Sequence, residues 1–170
     1  MTDFFQFDRL TWPDVARLPR NTPLVIPLGR GYPMELLAEA LGNPPRVGLL
    51  PPIPFGWANS GLMVPITVLR ELVHNLLNSL RDDGFSKVYA LTPQGLDLGT
   101  DHNWFALPRL SDRSPIAFQQ LPPDDQKNKV IILPVGHTEQ HGYHLPLSTD
   151  TLIIEAVSQG VSAAVPEQAF

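Results

Sequence analysis

Between Pro23 and Leu91 the apolar residues fall in short blocks that alternate between two spacings. Pro23 to Pro27 (Pro-Leu-Val-Ile-Pro) is a continuous apolar run between turn residues, the pattern of a buried strand. From Pro33 to Gly42, Met34, Leu36, Leu37, Ala40 and Leu41 recur at helical spacing, and Gly42 supplies a stop. Arg46 to Leu50 reads as a second buried strand, followed by a Pro- and Gly-rich loop from Pro51 to Gly61. The clearest helix runs from Pro65 to Asp83. There Leu69, Leu72, Val73, Leu76, Leu77 and Leu80 form one stripe expected to face the core, with Pro65 suited to the first turn and Gly84 to the stop. Lys87 to Leu91 gives a third strand.

The pattern then changes. Residues 92–128 are dominated by turn formers and polar residues, from Thr92-Pro93-Gln94-Gly95 to Pro122-Pro123-Asp124-Asp125, and read as a connector with one short element at most. Lys129 to Val135 reads as a fourth strand. Thr151 to Ala164 reads as a helix with Leu152, Ile153, Ala156 and Val157 turned inward. Strands alternating with helices predict an α/β fold: a mostly parallel sheet with helices on both faces. A faint echo links Leu24-Val25-Ile26-Pro27-Leu28-Gly29 to Ile131-Ile132-Leu133-Pro134-Val135-Gly136. Each is a strand ending in Pro-x-Gly, and both duplication and chance account for it.

Composition narrows the function classes. With 170 residues, 43% hydrophobic and 17% charged, the chain can bury a core and is not a disordered polymer. Its net charge of −5 and the scatter of Arg17, Arg20 and Arg30 argue against a nucleic-acid partner, because phosphate binding needs clustered cations. The absence of cysteine excludes disulfides, thiolate metal sites and a Cys nucleophile, and fits a cytoplasmic protein. The N-terminus lacks the basic and apolar regions of a signal peptide, and no run approaches the ~20 residues of a membrane span. The 19 prolines, twice the usual ~5%, punctuate the loops.

The candidate chemistry lies in the loop His137-Thr138-Glu139-Gln140-His141-Gly142-Tyr143-His144-Leu145-Pro146-Leu147-Ser148-Thr149-Asp150, after the expected fourth strand. Loops at the carboxyl ends of parallel strands are where α/β sheets build sites. Glu139 and His141 are two apart, so in extended backbone they leave on one side. Gly142 permits an unusual backbone angle, and Asp150 arrives at the start of a helix. Carboxylates with imidazole suit zinc or manganese. Plainer readings stand beside this one: Asp150 as a helix N-cap, Glu139 as a solvated charge, His144 as a packed histidine.

The run from Leu133 to Asp150 resembles the signature of the creatininase family of amidohydrolases. The resemblance implies creatininase-like α/β/α layers. It also implies a dinuclear divalent metal centre, zinc or manganese, held by Glu139, His141 and Asp150, with Asp150 bridging. The implied activity is hydrolysis of a C–N bond in a small cyclic amide or formamide. Residues that would transfer protons are not assigned. His137 stands where Ser is common in the family, and Tyr143 where Pro is common. The family completes its site with a later Asn-Gly-His segment and an acid. Residues 46–95 resemble that later part, but Thr92-Pro93-Gln94-Gly95 stands where the ligands belong. The expected organisation is therefore a degenerate creatininase-like unit over 1–108, a connector over 109–128 and the opening part of a second unit over 129–170, incomplete at its C-terminus. Asp101 and His102 are weak candidates for substitute ligands. The rival class is a truncated or inactive relative serving as a scaffold or binding subunit. Neither a membrane nor a nucleic acid is expected as partner, and a homo-oligomer is left open.

Overall fold

The apolar blocks become strands of one sheet. In the computed structural model, which describes residues 1–58, 60, 62–99, 103–109, 132 and 134–166, five strands pair side by side. They are β1 (Asp3–Gln6), β2 (Leu24–Pro27), β3 (Arg46–Leu49), β4 (Val88–Pro93) and β5 (Trp104–Leu107). Every pairing is parallel and the order is β1-β3-β2-β4-β5. Helices α1 (Trp12–Arg17), α2 (Met34–Ala40), α3 (Ile66–Asp82) and α4 (Thr149–Ala164) complete the set. The protein is thus an α/β protein with an all-parallel sheet.

The chain divides into two compact units, one comprising Met1–Phe7 and Leu18–Phe118, the other Asp8–Arg17 and Gln119–Phe170. The first holds the whole sheet with α2 and α3. Leu24, Val25 and Ile26 of β2 are all buried, so this central strand is covered on both faces. Val25, Val47 and Leu91 cluster with Tyr32 and Leu37 on the α2 side. Ala90, the neighbour of Leu91, points the other way and lines a small cavity with Val73 and Leu77 of α3. The two helices therefore cover opposite faces.

Three expectations need correction. In α3, Leu69, Val73, Leu77 and Leu80 are buried and Leu72 is half-buried, but Leu76 is 36% exposed. The buried residues follow one narrow line at spacings of four and three, and Leu76 sits on its rim. In α4, no residue is buried: Leu152, Ile153 and Val157 are more than half exposed, and Ala156 is exposed as well. The helix forms as expected, but its apolar face is not turned into a core. Finally, Ile132, Pro134 and Val135 belong to no strand, and the rest of the expected fourth strand lies outside the described residues. The structure adds β1, α1 and β5, and extends β4 through Thr92 and Pro93. No helix is long and apolar enough to cross a membrane, among the described residues.

Candidate metal centre

The second unit folds the signature loop back on itself. The Glu139 amide donates to the Leu147 carbonyl (3.1 Å), joining the outgoing and returning limbs. The returning limb is fixed by the segment before α1. Pro146 forms an antiparallel bridge with Thr11, Leu147 donates its amide to Leu10 (3.1 Å), and Ser148 donates to Asp8 (3.0 Å). Leu147 and Ser148 are buried, so the entry to α4 is anchored even though α4 is not. Gly142, at φ 72°, makes the left-handed turn after His141 that an ordinary residue resists. Gly136 makes a different demand: a Cβ there would stand 2.6 Å from Thr151 Cα and 2.7 Å from its nitrogen. Only a residue without a side chain lets the start of the loop lie against the first turn of α4.

This geometry brings Glu139, His141 and Asp150 together. One ligand atom from each lies within 4.8 Å of the others, and no other group of this kind occurs among the described residues. His141 is fixed at both ring nitrogens, with Nδ1 3.1 Å from the Glu139 carbonyl oxygen and Nε2 2.8 Å from Asp150 Oδ1. The Glu139 carbonyl, then the Asp150 carboxylate, favour a protonated ring and raise the His141 pKa above its ordinary value, while partial burial opposes them. The Nδ1 contact is the usual way a ligating histidine is oriented: one ring N–H held by a carbonyl, the other nitrogen presented to the ion. Asp150 sits in the first turn of α4, where the helix dipole favours a carboxylate. It does not cap the helix; Ser148 holds that position, with no side-chain cap bond.

The side chains of His141 and Asp150 are 22% and 35% exposed, and Glu139 is more open at 55%. Glu139 Oε2 lies 3.2 Å from His137 Nδ1, a contact the sequence did not suggest and one that is solvated and weak. His144 is exposed rather than packed and stays outside the group. Thr92, where the family's later ligands would belong, is fully buried and donates its hydroxyl to the Phe105 carbonyl (3.3 Å). Asp101 and His102 lie outside the described residues. The donor set of two carboxylates and one imidazole fits a zinc or manganese ion.

Residues 116–170 match the family model of creatininase, creatinine amidohydrolase. The likeness to creatininase read from the loop signature therefore holds over this segment. The mycofactocin precursor peptide peptidase of Mycobacterium tuberculosis (strain CDC 1551 / Oshkosh) is 61% identical over 33 residues, 19% of this chain and 13% of that protein. Its counterpart in Mycobacterium ulcerans (strain Agy99) is 59% identical over 32 residues, 19% and 13% of the two chains. That of Mycolicibacterium smegmatis (strain ATCC 700084 / mc(2)155) is 62% identical over 29 residues, 17% and 12%. The match to these creatininase-type relatives thus spans about an eighth of their length. No solved structure matches significantly.

Proposed function

We propose that the second unit carries the metal-binding half-site of a creatininase-type amidohydrolase, with Glu139, His141 and Asp150 as ligands of a divalent zinc or manganese ion. The observation that carries this reading is the convergence of the three ligand atoms within 4.8 Å, with His141 oriented from behind by the Glu139 carbonyl. A metal bound there supplies Lewis-acid polarisation of a carbonyl and lowers the pKa of a coordinated water. The chain's own part is positional. Asp150 and His141 are held by the anchored turn into α4, and the Glu139–Leu147 bond fixes the spacing between the limbs.

The scissile bond is proposed to be a C–N bond of a peptide, since the similar curated proteins bear the name of a peptide peptidase. The family description as creatinine amidohydrolase favours a cyclic amide as the second reading. A dinuclear site needs more than three ligands, and among the described residues three converge. The chain alone should therefore hold metal weakly and turn over little, which is the scaffold-like behaviour of the rival class.

The test is equilibrium dialysis against zinc and against manganese, with wild type and His141→Ala, beside amide-hydrolysis assays on a peptide, creatinine and a formamide. Wild type should retain metal that His141→Ala loses, with turnover at or near background on all three substrates. Equal metal content in the two proteins would remove the site. Robust turnover abolished by Glu139→Gln would show that the site is complete in this chain. The substrate giving turnover when the chain is joined to an intact later creatininase segment would separate the peptide from the cyclic amide.

A further inference from the structure

The contact between His137 and Glu139 lies outside the three-ligand group, yet it continues the same spacing. His137, Glu139 and His141 are each two residues apart, and none of residues 137–141 belongs to a helix or a turn. In extended backbone, alternate side chains leave on one side. The side chains meet accordingly. His137 Nδ1 lies 3.2 Å from Glu139 Oε2, and Glu139 and His141 offer ligand atoms within 4.8 Å of each other. Glu139 thus stands in the middle of a His-x-Glu-x-His run, with an imidazole on either side.

The main chain holds His137 beside the other donors. Gly136, which precedes it, packs so closely on Thr151 that a Cβ there would stand 2.6 Å from Thr151 Cα, and Thr151 follows Asp150. Two residues after His137, the Glu139 amide is tied to the Leu147 carbonyl at 3.1 Å. His137 therefore sits on a short span pinned at both ends within the loop. Its side chain is 73% exposed, so it turns about its own bonds without disturbing a packed core.

The 3.2 Å separation is that of two donors on one ion. Ligands about 2.1 Å from a metal lie about 3.0 to 3.4 Å apart at octahedral or tetrahedral angles. An exposed ion pair of this length adds little stability by itself; a shared metal ion gives the pair a use. The charges also close. The Glu139 and Asp150 carboxylates balance a dication, so a further donor is best neutral, as an imidazole is. We propose that His137 is a fourth protein ligand of this centre, binding the same ion as Glu139 Oε2. The inference rests on the half-site reading given above. It adds a donor at a position where Ser is common in the creatininase family.

The test measures zinc affinity of the full chain by competition with a chromogenic chelator, and counts the imidazoles on the bound zinc by X-ray absorption. Wild type should show two imidazoles and His137→Ala one. His137→Ala should also bind zinc about tenfold more weakly. Free imidazole should restore part of that loss, which it would not do for a residue that merely orients Glu139. His144→Ala, on the same loop but outside the group, should match wild type in both measurements. One imidazole on wild-type zinc, with binding lost in His141→Ala, would overturn the proposal and leave the half-site standing. Unchanged affinity in His137→Ala, or two imidazoles that persist there, would overturn it as well. So would a single imidazole in His144→Ala, which would make His144 the second donor. Wild type that holds no zinc, or His141→Ala that holds it as tightly as wild type, would remove the half-site reading and His137 with it. The first imidazole count is made on wild type, so it decides even if His137→Ala does not fold.

Discussion

Leu69 and Leu76 lie on the same helix, two turns apart, and the structure gives them different energies. Leu69 is fully buried, and its Cδ1 lies 2.7 Å from where a Cβ on Gly56 would stand, so its neighbour there is main chain. Leu69→Ala removes three carbons worth about 0.8 kcal/mol each, or about 2.4 kcal/mol of transfer free energy. Main chain cannot swing in to fill the gap. A residual cavity of about 40 Å³ adds about 1 kcal/mol, for a total of about 3 to 4 kcal/mol. Leu76 is 36% exposed and opens to solvent. Leu76→Ala leaves no cavity and should cost at most about 1.5 kcal/mol. Helix propensity is common to both substitutions, so the difference of about 2 kcal/mol reports burial alone. Urea unfolding followed by circular dichroism should place the two midpoints about 1 M or more apart at equal m-value. Equal costs for the two substitutions would refute the assignment of the α3 core face.

Gly136→Ala should loosen the junction between the loop and the first turn of α4 and weaken zinc binding about tenfold without touching a ligand; dialysis retaining wild-type metal content would contradict the close packing on Thr151. Tyr32 donates its hydroxyl to the Leu28 carbonyl, and burial pushes its phenol well above the ordinary value, outweighing the opposing charge of Arg109. The folded state therefore favours the neutral phenol, and this stabilisation is complete below the unfolded pKa of about 10 and is lost as pH rises above it. In an ultraviolet titration Tyr32 should ionise only as the protein unfolds; its reversible ionisation in the native state would exclude the burial argument.

The central part of the fold was legible because its elements sit in apolar runs set off by turn residues. β2, α2, β3, α3 and β4 each lie in an apolar block with Pro or Gly close by. β1 offers only Phe4 and Phe5 between polar ends, and β5, Trp104 to Leu107, lies inside a stretch otherwise rich in turn formers. Edge strands are selected by the neighbour they pair with, which local pattern does not encode. The α3 stripe gave the right face but not its width, which is why Leu76 was placed too deep. Leu152, Ile153 and Val157 show the same limit more sharply: helical spacing reports that a helix has an apolar side, not that a partner covers it. That Glu139, His141 and Asp150 come together was legible from the loop because they are close in sequence. The anchoring of that loop by Asp8, Leu10 and Thr11 was not, since it joins positions more than a hundred residues apart.

Among the described residues, α4 buries none of its 16 side chains, so its own hydrogen bonds do most to keep it closed. Isolated helices near this length are marginal in water. The amides of α4 should therefore exchange with solvent by local opening at a small free-energy cost, well before those of α3. Asp150 belongs to the first turn of this helix. Any ion that ties its carboxylate to His141 then binds the wound form and not the frayed one. Occupancy of the loop and protection of the helix become one linked equilibrium, growing together as ion concentration exceeds the dissociation constant. Part of the free energy of binding is thereby spent on winding α4, a helix that buries none of its own residues.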